Sequence, residues 1–214
     1  MISLIVNKEI FSFSNLIKQT GNTYENMITL DEYIEQGLQA RKSVDLEKIQ
    51  KFSILLHDRL SSGGKLIAFG NGGSAADAQH FVGELDGHFT VERAALPAVA
   101  ISTNTSSLTA IGNDYSYEDI FSRPVSALAT ERDIVVGIST SGNSANVVKA
   151  MQAAKGKGAY TVALTGKSGG KLRNIVDDLF AVESDFTPII QEVHISIIHM
   201  ICLELDRVMV APSK

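Results

Sequence analysis

The stretch Lys65-Leu66-Ile67-Ala68-Phe69-Gly70-Asn71-Gly72-Gly73-Ser74-Ala75-Ala76-Asp77-Ala78-Gln79-His80-Phe81-Val82-Gly83-Glu84 decides the fold. Its apolar opening, Lys65–Phe69, reads as a buried strand that stops at a Gly-rich turn. Ser74 stands where a helix N-cap belongs, and the spacing predicts a helix over 74–85 with His80 and Glu84 at i, i+4. Glycine lets a backbone approach a ligand closely, and the N–H groups at a helix start attract phosphate. An imidazole and a carboxylate one turn apart can share a metal ion or a proton-transfer task. The plain alternative is a surface pair worth about a few tenths of a kcal/mol.

Working outward, further strands are expected at Ala98–Ser102, Asp133–Ile138, Tyr160–Thr165 and Asp178–Val182. Helical stretches are expected at 105–113, 117–129, 143–156 and 169–174. Short apolar strands alternating with helices predict a parallel sheet covered on both faces, with ligands bound beyond the carboxyl ends of the strands. Upstream, residues 24–61 carry helical spacing in two pieces broken near Ser43-Val44-Asp45, and residues 1–23 form a poorly patterned leader. The chain is therefore read as a leader and helical extension over 1–61 and one compact α/β unit over 62–214.

A second strand-to-helix turn, Gly137-Ile138-Ser139-Thr140-Ser141-Gly142-Asn143-Ser144, repeats the logic of the first. Its hydroxyls, backbone N–H groups and helix start can surround a phosphate without a cation. The bland reading is a Ser/Gly-rich turn with Ser144 capping a helix. The last helix, expected over Ile189–Val208, is apolar on nearly every side yet carries Gln191, Glu192, His194 and His199, which suits a buried or interface position. Gln191 and His199 lie two turns apart and can face one cleft. His194 sits on the other side of Gln191, so one site is not expected to use both histidines, and spacing alone does not choose between them. Asn113-Asp114 is either the turn closing a helix or a polar pair for a polyol. His57 and His88 read as peripheral.

Net charge is -5 with no basic block, which argues against nucleic acid as the main partner. The single cysteine, Cys202, rules out an internal disulfide and suits a reducing cytoplasm. The start of the chain lacks the basic region of a signal peptide, and no apolar run reaches membrane-spanning length.

Taken together, these segments resemble the sugar-isomerase (SIS) domain family, and within it the phosphoheptose isomerases, over roughly residues 25–208. The likeness is carried by Gly70–Ser74, Asp77–His80, Gly83–Leu85, Gly112–Asp114, Asp119–Arg123, Gly137–Asn146, Leu164–Gly166 and Gln191–His194 with His199. It implies a three-layer αβα sandwich around a five-stranded parallel sheet of flavodoxin-like topology, with extra N-terminal helices. It also implies a cytoplasmic homotetramer whose active sites lie between subunits. The implied activity is an intramolecular oxidoreduction, the conversion of sedoheptulose 7-phosphate to D-glycero-D-manno-heptose 7-phosphate through an enediol, toward nucleotide-activated heptoses. One zinc ion per subunit would be held by His80, Glu84, Gln191 and His199, so the resemblance selects His199 over His194. Glu84 and His199 would be the acid/base pair. Phosphate would lie against Ser139, Thr140, Ser141 and Ser144, and Asn71, Gly72, Gly73, Asn113 and Asp114, with Glu84 and Gln191, would contact the sugar. The departures are His88, where many members carry arginine, and Pro188, where some carry an acidic residue. The competing readings are a non-catalytic SIS protein that binds a replication initiator, and an isomerase of another sugar phosphate.

Overall fold

A computed structural model describes residues 27–210; the predicted leader lies outside them. Two helices come first, α1 (Leu30–Lys42) and α2 (Leu46–Ser61). The break between them falls at the expected place, and Asp45 caps α2 by accepting from the Lys48 N–H at 3.0 Å. The α/β unit then runs β1 (Leu66–Gly70), α3 (Gly73–Asp86), β2 (Ala98–Ala100), α4 (Thr105–Asp114), α5 (Ser122–Leu128), β3 (Ile134–Ser139), α6 (Ala145–Gly156), β4 (Tyr160–Gly166), β5 (Asp178–Val182) and α7 (Thr187–Val210). Among the described residues two compact units are distinguished, divided between Gln36 and Gly37, and the candidate site lies in the second.

All four strand pairings are parallel, in the order β2-β1-β3-β4-β5. This is the flavodoxin-like order, as expected, and it places a topological switch point between β1 and β3. Every residue of β1 and β3 is buried, as a sheet covered on both faces requires. Ile67, Phe69, Val135 and Ala163 point into one layer, against Phe121 and Val125 of the α5 region and Val147, Ala150 and Met151 of α6. Alternate residues such as Leu66, Ile134, Ile138 and Leu164 fill the other side, where α2, α3 and α7 lie.

Several local expectations are corrected. The helix expected over 117–129 is two pieces, a 3-10 turn at Tyr117–Asp119 and α5. A continuous helix would need an N–H from Pro124 and would set its ring against the Ile120 carbonyl. Residues 170–174 form a 3-10 turn rather than an α-helix. Helix α4 runs through Asn113 and Asp114 instead of ending in a turn there. Strand β2 is shorter than expected and omits Ser102, while Gly70, Ser139 and Gly166 extend β1, β3 and β4. Ser74 is not the cap of α3: that place belongs to Gly72 at φ 53, a left-handed backbone suited to glycine, and Ser74 is buried inside the helix.

Candidate functional site

The site is built at the carboxyl ends of β1 and β3, on either side of the switch point. The two loops there are tied directly. Asn71 Nδ2 donates to Asn146 Oδ1 and Asn146 Nδ2 donates to Asn71 Oδ1, both at 2.9 Å. Asn146 Oδ1 also accepts the Val147 N–H, and Tyr117 Oη donates to Asn71 Oδ1 at 3.0 Å. Tyr117 thereby brings the nearby end of α4, with Asn113 and Asp114, toward the Gly-rich loop. Those two remain exposed, and Asn113 donates to Asp114 Oδ1 at 2.8 Å.

In the second loop, Ser139 Oγ and Ser144 Oγ lie 2.9 Å apart. Ser144 occupies the N-cap position of α6 but makes no side-chain cap. The Ser144 hydroxyl therefore leaves the first amides of α6 uncapped, with only the Val147 N–H met by Asn146 Oδ1, and free amides at a helix start suit an anion. Gly142 is at φ +66, and a Cβ there would come within 2.1 Å of the Gly169 carbonyl oxygen. The loop is buttressed from behind by that neighbour and by Lys171 N–H on Asn143 Oδ1 at 3.0 Å. A cavity of about 240 Å³ opens beside it, lined by Thr140, Ser141, Gly166, Lys167 and Thr187 among others.

Helices α3 and α7 supply the third part. His80 Nε2 lies 2.8 Å from Glu84 Oε1 and 3.4 Å from His199 Nε2. One ligand atom from each of the three falls within 4.8 Å of the others. Two imidazole nitrogens and a carboxylate are a donor set that suits zinc. Burial, then the charge of His80, lowers the His199 pKa; Glu84 opposes this and Arg41 adds to it. Gln191, two turns earlier on α7, sets its amide against the start of α3, where a Cβ on Gly73 would be 2.6 Å from Gln191 Nε2.

His194 goes elsewhere. It is fully buried, with Nε2 donating to the Thr165 carbonyl at 3.1 Å and Nδ1 without a partner among the described residues. Burial pulls its pKa down to about 4.

Sequence reasoning missed three features. Asn146 and Tyr117 lock the Gly-rich loop, and neither showed a local signal because Asn71 is distant in sequence. Asp77, one turn before His80, holds a buried carboxylate oxygen without a partner among the described residues, and burial pushes its pKa up to about 6 against the opposing charge of His80.

A parallel sheet in this order, with a hydroxyl-rich turn at a helix start and an imidazole–carboxylate cluster beside it, is an α/β domain of the kind that binds its ligand at the carboxyl ends of the strands. The SIS domain profile matches residues 32–166. A probable phosphoheptose isomerase of Thermoplasma acidophilum is 57% identical over 176 residues, covering 82% of this chain and 97% of that protein. Among solved structures, a phosphoheptose isomerase from Francisella tularensis superposes with a TM-score of 0.79 at 38% identity, over 85% of this chain and all of that one (100%). One from Neisseria gonorrhoeae superposes at 0.74 and 45% identity, over 82% and 94% of the two chains. The chain belongs to the SIS domain family, and within it to the phosphoheptose isomerases.

Proposed function

We propose that the protein interconverts sedoheptulose 7-phosphate and D-glycero-D-manno-heptose 7-phosphate through an enediol, in the supply of nucleotide-activated heptoses. The observation that carries this reading is the meeting of Glu84 on α3 with His199 on α7, through His80, in a chain so close to phosphoheptose isomerases. Aldose–ketose exchange needs a base for the carbon-bound proton and a second group for the oxygens. Glu84 takes the C1 proton of the ketose on a carboxylate oxygen and returns it to C2. His199 accepts the proton of the C1 hydroxyl and delivers it to the C2 oxygen, so the proton count is unchanged. The lowered pKa of His199 keeps its imidazole neutral near pH 7, free to exchange protons.

Ser139, Thr140, Ser141 and Ser144 hold the phosphate with the amides at the start of α6. Because the Asn71 side chain is engaged by Asn146 and Tyr117, sugar contacts from this loop fall to the backbone of Asn71, Gly72 and Gly73. Asn113, Asp114 and Gln191 complete the sugar site. His80, Glu84, Gln191 and His199 would hold one zinc ion, which when bound polarises the substrate carbonyl and stabilises enediolate charge.

The same reading makes residues 62–214 the sugar-phosphate unit and 1–61 a helical extension. It also makes the protein a cytoplasmic homotetramer with active sites between subunits. An exposed apolar stripe on α1, with Leu30 82%, Ile34 60% and Leu38 45% exposed, supports burial of that helix against another copy. Among the described residues no helix is long and apolar enough to cross a membrane.

The test is incubation of the metal-defined protein with sedoheptulose 7-phosphate, following the new aldose by NMR. Aldose is expected from the wild type and not from Glu84→Gln. Turnover by Glu84→Gln near the wild-type rate would sink the assignment, and an inactive wild type would move the weight to another sugar phosphate.

A further inference from the structure

Helix α3 reaches its C-terminus with no basic residue in its last turn, so nothing on the helix itself meets its final carbonyls. That role is taken by Arg93, from the loop between α3 and β2. Arg93 Nη2 donates to the Glu84 carbonyl at 2.6 Å, and Nη1 donates to the Leu85 carbonyl at 2.9 Å. A guanidinium buried to this degree, with its side chain 5% exposed, requires a counter-ion. The counter-ion is Asp206 on α7, whose side chain is 2% exposed and whose Oδ1 accepts from Arg93 Nε at 3.1 Å. The other oxygen of Asp206 accepts from Thr90 N at 2.8 Å, Thr90 Oγ1 at 2.9 Å and Val91 N at 3.2 Å.

These bonds have a geometric consequence. Asp206 lies seven residues after His199, so the two share one face of α7, separated by about 10 Å of helix rise. Glu84 carries one of the carbonyls that Arg93 holds. The loop strapped to Asp206 also carries Phe89, whose ring lies 5.6 Å from that of His199, tilted by 31°. One ion pair thus fixes the end of α3 that bears Glu84, the face of α7 that bears His199, and the aromatic ring beside His199. A slide of α3 along α7 would break the pair and the triad together.

We propose that Arg93 and Asp206 are positioning residues of the His80–Glu84–His199 triad, setting the distance at which the three donors meet. This rests on the metal-site reading given above. Neither residue touches the anion loop of 139–144, so their action is on metal geometry and proton transfer and not on phosphate binding.

The test uses the full chain and Co²⁺ as a probe, with affinity from titration and coordination geometry from the visible absorption spectrum. Removing one charge alone would strand the other in a buried place, so the informative variant is the double replacement Arg93→Met with Asp206→Asn, which nearly keeps shape, leaves an acceptor for Thr90 and Val91 and removes both charges. It is expected to fold, to bind Co²⁺ roughly 10- to 100-fold more weakly, the range for partners that orient ligands, and to show an altered spectrum. Its kcat falls while KM for the sugar phosphate stays within about twofold, the pattern for loss of an interaction used in the chemical step. A folded double variant with wild-type Co²⁺ affinity and spectrum overturns the positioning role while leaving the metal site standing. Failure of the wild type to bind Co²⁺ overturns both.

Discussion

Asn71 and Asn146 exchange two hydrogen bonds, each 2.9 Å, across the crevice between the loops that follow β1 and β3. Both amides are spent on each other, so the two halves of the site are set before any ligand arrives. Asn146→Ala leaves the Asn71 amide short of partners in a partly buried place. It is expected to lower stability by about 1–3 kcal/mol and to raise KM for the sugar phosphate. Denaturant melts read alongside steady-state kinetics check both effects; unchanged KM would show that the crevice does not depend on this link.

The Ser139–Ser144 contact separates phosphate binding from helix capping. Since the Ser144 hydroxyl caps no amide of α6, Ser144→Ala is expected to change stability by less than the ~1 kcal/mol typical of a lost cap. KM for the phosphorylated substrate is expected to rise about tenfold, the ~1.4 kcal/mol of one hydrogen bond to a charged group. A loss of stability with KM unchanged would restore the capping role.

Metal content provides a third check. Wild-type protein dialysed against zinc is expected to retain one ion per chain by elemental analysis. His80→Ala removes one of two imidazole donors and is expected to retain little, with Ser144→Ala as the control that binds zinc normally. Zinc retention by His80→Ala equal to that of the wild type would move the metal elsewhere.

His194 predicts an acid sensitivity that has nothing to do with catalysis. Burial disfavours the charged ring and pulls its folded pKa down to about 4, from the ordinary histidine value of 6.5. Between those values the unfolded chain binds the extra proton, so this residue's contribution to stability is intact above 6.5 and declines as pH falls toward 4. The slope is at most roughly 1.4 kcal/mol per pH unit. His194→Gln keeps a donor for the Thr165 carbonyl and removes the titration. The stability gap between wild type and variant is expected to shift in favour of the variant from pH 7 to pH 5, by chemical denaturation; a gap independent of pH would refute the cause.

Much of the fold was legible because its elements are encoded locally. Apolar runs such as Lys65–Phe69 stop at glycines, and helical periodicity fills the gaps, so five strands in alternation with helices could be counted directly. The errors cluster at element ends. Pro124 divided an expected helix, and Ser74 looked like a cap although α3 starts at Gly73 with Gly72 in the cap position. In the candidate site, the His80–Glu84 spacing and the hydroxyls of 139–144 were visible for the same local reason.

What the amino-acid order by itself determined is the set of strands, the two strand-to-helix turns and the imidazole–carboxylate pair on one helix, all of them properties of neighbours in the chain. Tertiary structure alone decided which residues meet. His199 joins His80 from 119 positions away, Asn146 meets Asn71 across 75, and Asp206 meets Arg93 across 113. Such pairs leave no periodicity to read. Their partners are chosen by how the parallel sheet stacks α3 and α7 on one face and brings the ends of β1 and β3 side by side.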